Sequence, residues 1–158
     1  MPAGKQFLMC GTEPGKQPRC YLVPIAGGAP QPITPEGVRA AWPAPDGRTL
    51  LVHGTNGYEV RTIGTDAHTP VPGFRAADAV IGWNDDHSIA VSVGNAVPLR
   101  IDSIDIRTGA RAHVRDIAPP DNGGVYELMV TQWTDAGRSY VYHFGRTLDV
   151  IFVAKETR

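Results

Sequence analysis

Short apolar runs separated by glycine- and proline-containing turns make up most of the chain. No segment carries apolar residues at helical spacing without one of those breakers inside it. The runs predict strands. In the best-defined stretch, 38–42 is extended, 43–47 turns through Asp46-Gly47, and 49–53 (Thr-Leu-Leu-Val-His) follows with a continuous apolar centre. That centre fits a strand covered on both faces better than one with a solvated face. Asn56-Gly57 then supplies the positive φ angles of a type I′ hairpin. A strand over 58–63, a turn at Gly64-Thr65-Asp66 and a short outer strand over 68–71 complete the unit. Pro70 and Pro72 suit an edge, where a missing amide proton costs no ladder bond.

The same order of elements returns along the chain. The next unit predicts strands over 78–83, 89–93, 99–106 and 112–117, with Thr108-Gly109 as a turn. The last predicts 125–133, 139–144 and 148–154, and the first 6–11, 20–25 and 31–34. Trp42, Trp83 and Trp133, spaced by 41 and 50 residues, each precede an acidic turn and an apolar strand. A degenerate copy opens the chain, where Pro2-Ala3-Gly4-Lys5 aligns on Pro45-Asp46-Gly47-Arg48. The period is that of a four-stranded propeller blade, about 40–45 residues. The expected fold is therefore all-β: one domain over 1–158, a β-propeller or partial propeller of about 3.5–4 four-stranded antiparallel blades. Its units run approximately over 1–37, 38–74, 75–123 and 124–158. The three tryptophans are expected at equivalent places between blades. Asp46, Gly47, Asp85, Asp135 and Gly137 are expected to build the turns, and Asn56 and Gly57 the hairpin.

Trp42 followed by Pro45-Asp46-Gly47-Arg48 and an apolar strand resembles the TolB-like propeller repeat, a WD-like β-propeller family. Weaker copies are Trp83 with Asp85 and Asp86, Trp133 with Asp135 and Gly137, and Gly4-Lys5. Ala3 stands where the turn aspartate belongs, and Asp86 where the turn glycine belongs. Residues 139–158, with Tyr140-Val141-Tyr142 and then Arg146-Thr147-Leu148, look like the C-terminal end of propellers linked to bacterial serine/threonine kinases. The resemblance implies a non-enzymatic, ligand- or protein-binding sensory propeller, the C-terminal part of a larger protein, periplasmic or otherwise extracytoplasmic. The kinase motifs themselves are missing from these residues. Ala26-Gly27-Gly28-Ala29 lacks the Lys-Ser/Thr of a phosphate loop and reads as a turn.

Composition narrows the function classes. At 158 residues and 42% hydrophobic, the chain suits one domain with a core. Fifteen basic residues stand against sixteen acidic ones with no block of like charge, which argues against a nucleic-acid or anionic-membrane partner. No apolar run approaches the ~20 residues of a membrane helix, and the first residues lack a signal-peptide pattern, so the chain as given reads as soluble. Cys10 and Cys20 lie roughly opposite each other on the first predicted hairpin. They can form a cross-strand disulfide or serve as two small buried hydrophobes.

No catalytic residue, metal ligand or cofactor is assigned. Cys10, His53, Ser92 and His143 fall at one equivalent position of successive units, which on paper resembles a ligand set. Packed sheets lie about 10 Å apart, so such positions do not converge on an ion. Asp85-Asp86-His87-Ser88 occupies the turn of Asp46-Gly47 and reads as a cap, and Ser88, His113 and Asp116 lack the context of a triad. Connections at 34–38, 73–78 and 118–126 would gather on one face of a propeller. There Arg39, Arg75, Tyr126 and Glu127 are the candidate binding residues for a protein or small-molecule ligand. The alternatives are a propeller-based hydrolase acting on peptide or glycan, and a self-assembling half-propeller. An open arc would leave its end faces uncovered, so a homodimer closing the ring is the expected partner.

Overall fold

The computed structural model describes residues 4–134 and 137–149. It is all-β, with thirteen strands among those residues arranged in four antiparallel sheets, none of them closed on itself. The first sheet comprises β1 (Gln6–Gly11), β2 (Arg19–Pro24) and β3 (Gln31–Pro32). The second comprises β4 (Ala40–Pro43), β5 (Thr49–Gly54), β6 (Gly57–Thr62) and β7 (His68–Pro70). The third holds β8 (Asp78–Asp85), β9 (Ser88–Val93), β10 (Leu99–Asp105) and β11 (Arg111–Ile117). The fourth pairs β12 (Val125–Thr134) with β13 (Ser139–Arg146). Sequential neighbours pair throughout, as turn chemistry alone predicts. In the predicted strand over 148–154, Leu148 and Asp149 have no regular structure and the remainder lies outside the described residues, as does Asp135.

Three apolar clusters join successive sheets face to face. Cys20, Val38, Leu50 and Val52, with Leu8 and Ile33 against them, fill the space between the first and second sheets. Leu51, Ile89, Val91 and Ile104 do so between the second and third, and Ala90, Leu99, Ile101, Leu128 and Trp133 between the third and fourth. This explains the continuous apolar centres of β5 and β9. Leu50 and Val52 serve one interface while Leu51 serves the other, and all three have no exposed surface. Both faces of the middle sheets are core.

Indole hydrogen bonds tie neighbouring sheets together. Trp83 Nε1 donates to the Trp42 carbonyl oxygen at 3.0 Å, and Trp133 Nε1 donates to Asn84 Oδ1 at 3.0 Å. Asn84 Nδ2 in turn donates to Ser103 Oγ at 3.0 Å. Two glycines make the close approaches possible. A Cβ on Gly82 would lie 3.3 Å from Trp133 Cβ, and one on Gly137 would lie 2.2 Å from Trp133 Cζ2. Gly137 also takes φ +79°, a left-handed conformation that suits glycine.

Two expectations need correction. The three tryptophans all pack between sheets, but Trp42 is not the equivalent of the other two. Trp83 pairs with Ile89 and faces the preceding sheet, and Trp133, paired with Tyr140, does the same. Trp42 pairs with Leu51 and packs on the side of the following sheet, with its ring 6.2 Å from that of Tyr58. Register irregularities interrupt β8 between Val80 and Gly82 and β12 between Val130 and Gln132, whereas β4 pairs regularly. A one-residue change in register reverses the face a side chain occupies. The hairpin after β5 is shifted as well. Gly54 pairs with Gly57, so Thr55 and Asn56 are the central turn residues and Gly57 follows them at φ +104°. Cys10 and Cys20 are register partners and form a disulfide.

Trp83 is 7% exposed and anchors both a cluster and an inter-sheet bond, so Trp83→Ala is expected to cost about 3–5 kcal/mol in urea unfolding. A loss under about 1 kcal/mol contradicts this placement. Gly57 has open space around it, so Gly57→Ala tests conformation alone. The strain of placing alanine at that φ is expected to lower stability by about 1 kcal/mol, and Tm by roughly 2–4 °C, in a thermal melt.

Candidate ligand groove

The ends of β4, β8 and β12 that carry the tryptophans lie side by side, and Trp42, Trp83 and Trp133 line one open groove of about 560 Å³. Pro43 and Pro45 add two rigid rings on the side of the second sheet. Asp85 and Asp86, both exposed, place two carboxylates at its border. Because the Trp83 and Trp133 indoles are spent on inter-sheet hydrogen bonds, the aromatic surface is fixed before any ligand arrives. Arg115 lies over the Trp133 and Tyr140 rings, its guanidinium 5.7 Å from the first and 5.2 Å from the second. Trp83 and Trp133 are each 7% exposed and show the groove only part of their rings. With the half-buried Trp42 and the carboxylate border, the groove therefore suits a cationic or ring-bearing group that makes limited cation–π and stacking contact.

The turns bordering the groove are held by aspartates. Asp46 Oδ1 accepts from the backbone N–H groups of Arg48 and Thr49, each at 2.8 Å, and Asp46 Oδ2 from Thr49 Oγ1 at 2.6 Å. Burial pushes the Asp46 carboxyl up, but these donors and Arg48 hold it below the ordinary value. Asp85 Oδ1 accepts from the His87 N–H at 2.8 Å, so Asp85-Asp86-His87-Ser88 forms a capped turn. Asp105 repeats the device with Arg107 and Thr108. Asp46 and Asp105 both begin Asp-x-Arg-Thr, a signal that would have found Asp105 in the sequence.

An ionic network with buried carboxylates lies on the third sheet, where the connector from the second crosses it. Arg111 donates from Nη1 to Asp78 Oδ2 at 2.7 Å and from Nη2 to Asp78 Oδ1 at 3.0 Å. Its Nη2 also reaches Asp102 Oδ2 at 3.0 Å, and Arg100 Nε donates to Asp102 Oδ1 at 2.7 Å. The Asp78 side chain is 0% exposed and that of Asp102 4%. Burial raises the Asp102 carboxyl, yet Arg100 and Arg111 hold it below the ordinary carboxylate value. Arg111 Nη1 also donates to the Gly73 carbonyl oxygen at 3.2 Å. A Cβ on Gly73 would lie 2.5 Å from Gly109 O, so backbone meets backbone where the connector crosses the β10–β11 turn. Above it Phe74 stacks on Tyr58 with ring centroids 3.8 Å apart. Burial, aided by the Asp78 charge, pushes the Tyr58 hydroxyl up.

The loop residues selected from the sequence are not joined to one another by any hydrogen bond or ion pair among the described residues. Arg39 is exposed and its N–H bonds the His53 carbonyl oxygen. Arg75 is exposed and its N–H donates to Asp78 Oδ2 at 2.6 Å. Tyr126 is 62% exposed and lies over Gly145, where an added Cβ would meet its Cζ at 2.5 Å. Glu127 is half-buried opposite Gly145. Cys10, His53, Ser92 and His143 stand in four different sheets. Cys10 is in the disulfide and His53 stacks on Tyr58 at 4.5 Å. Among the described residues no group of three or more His, Cys, Asp or Glu side chains is placed to hold a metal. Ser88 pairs with Asp105 while His113 pairs with Asp102, three residues along β10, or about 10 Å. Among the described residues no helix is long and apolar enough to cross a membrane.

In the sequence the tryptophans read as packing residues, and nothing there marks the groove as a surface. The signal that could find it is Trp42-Pro43-x-Pro45 together with Trp83 and the Asp85-Asp86 pair, which by themselves read as turns. Comparison with protein-family profiles, with curated proteins and with solved structures returns no match.

The ionic network sets a pH dependence. A carboxyl whose folded pKa is depressed contributes stability above its unfolded value, lost as pH falls through the folded value. Asp102 therefore contributes at neutral pH, and its contribution declines below about pH 4, the unfolded aspartate value. Asp102→Asn is expected to be less stable at pH 7 and to lose less on acidification to pH 3. Parallel urea midpoints for variant and parent across that range would contradict it.

Proposed function

We propose that this chain is a non-enzymatic binding module of the TolB-like propeller type, its four sheets acting as successive blades of a partial propeller. The convergence of Trp42, Trp83 and Trp133 with two prolines and two carboxylates in one groove carries this reading. The ligand it suits is a peptide segment or small molecule that presents a cation beside an apolar or ring surface. The separation of Ser88 from His113 argues against the hydrolase alternative. The Cys10–Cys20 disulfide supports placement in an oxidising, extracytoplasmic compartment. The face-to-face order of the sheets and their recurrent Asp-capped turns support the repeat assignment.

Tryptophan emission titrated with an arginine-rich hexapeptide and with its glutamate counterpart tests the site. The basic peptide is expected to quench emission saturably, with an apparent Kd raised several-fold by Asp86→Asn and by added salt. Equal responses to both peptides, or none to the basic one, would remove the groove from consideration. Hydrolysis of an ester, peptide or glycoside substrate, abolished by changing a single Asp or His, would instead establish the enzyme reading.

A further inference from the structure

Each inter-sheet interface is built from the same strand positions. On β5, Leu50 and Val52 face the preceding sheet and Leu51 the following one. On β9, Ile89 and Val91 face the preceding sheet and Ala90 the following one. All six are fully buried. On β13 the pair facing the preceding sheet is Tyr140 and Tyr142, and on β1 Leu8 and Cys10 face the following sheet. Two positions of this pattern are left open. Phe7 and Met9 on β1, the counterparts of Leu50 and Val52, are 45% and 44% exposed. Val141 on β13, the counterpart of Leu51, is 55% exposed, and Met129 on β12, which pairs with His143 two residues along the same face, is 50% exposed.

The two open faces are the two halves of one interface. Among the described residues no sheet with a large apolar pair covers the open face of the fourth, and the first sheet offers Phe7 and Met9. Among the described residues no sheet covers the open face of the first, and the fourth offers Val141 and Met129. We propose that a second copy of this chain supplies both: the fourth sheet of one protomer seats on the first sheet of its partner, and the reverse contact completes a twofold ring. The interior interfaces repeat this pairing three times, so the same packing continues across the protomer boundary. Each contact joins unlike faces, which separates this arrangement from one in which like faces meet.

Light scattering after size exclusion, at tens of micromolar, is expected to give twice the 17.0 kDa chain mass. Met9→Lys and Val141→Lys each place a charge on one exposed face, and each is expected to halve that mass while retaining the parent's circular dichroism and cooperative melt. Mixing the two variants leaves one unaltered contact, between the fourth sheet of the first and the first sheet of the second. The mixture is therefore expected to regain a heterodimer that neither variant forms alone. A monodisperse 17.0 kDa parent overturns the proposal. So does a mixture that stays monomeric, which favours pairing of like faces, and so do polydisperse aggregates, which mean that a segment outside this chain covers the faces. None of these readouts depends on peptide quenching at the tryptophan groove, so either reading can fail alone.

Discussion

Strands apolar on both faces must be covered on both sides, and the rest of this structure follows from that requirement. Leu50, Leu51 and Val52 alternate between two interfaces, as do Ile89, Ala90 and Val91. A single sheet of this kind cannot satisfy both faces by folding over itself, so each finds cover in its neighbours along the chain. The stacking order then equals the chain order, and every connector between sheets stays short. Burial at roughly 25 cal/mol per Å² drives this arrangement, while the indole bonds from Trp83 and Trp133 fix how the sheets sit once in contact.

The same constraint makes the groove. Stacked sheets bring the ends of β4, β8 and β12 side by side, so tryptophans distant in sequence share one surface. Two of them donate their N–H groups across the sheet boundary, which leaves the rings fixed. Trp42 reaches the groove from the opposite face of its strand, since β4 lacks the irregularities of β8 and β12. The groove therefore depends on a difference between the units as much as on their likeness.

Turn signals and short apolar runs make the strands legible in the sequence, because turn chemistry and period-two burial are local properties. Pairing between sequential neighbours was legible for the same reason. The facing of Trp42 was not, because one inserted residue in a ladder reverses a face without changing composition. Nor was the Arg111 network: Asp78 and Asp102 lie 33 and 9 residues from Arg111, and only the stacking of sheets brings the connector at Gly73 over β10 and β11. The disulfide was open as one of two readings, and the in-register pairing of Cys10 with Cys20 decided between them. The groove was hidden because tryptophan at a repeat position reads as packing, which it also is.

The outer edges and the end faces of the sheets are treated differently by the sequence. Edge strands β3 and β7 are two and three residues long and end in Pro32 and Pro70, and edge strand β11 carries Arg111, His113, Arg115 and Asp116. Short strands, proline and charge are the devices by which edges resist adding another strand. The end faces keep large apolar residues exposed, Phe7 and Met9 on one, and Met129 and Val141 on the other, where their cross-strand partners His143 and Gln132 are polar. A chain selected only to avoid association would place charge at those exposed positions as it does on β11. Keeping apolar residues there, at the strand positions that are core elsewhere, is what a surface needs if it is to be covered by another sheet.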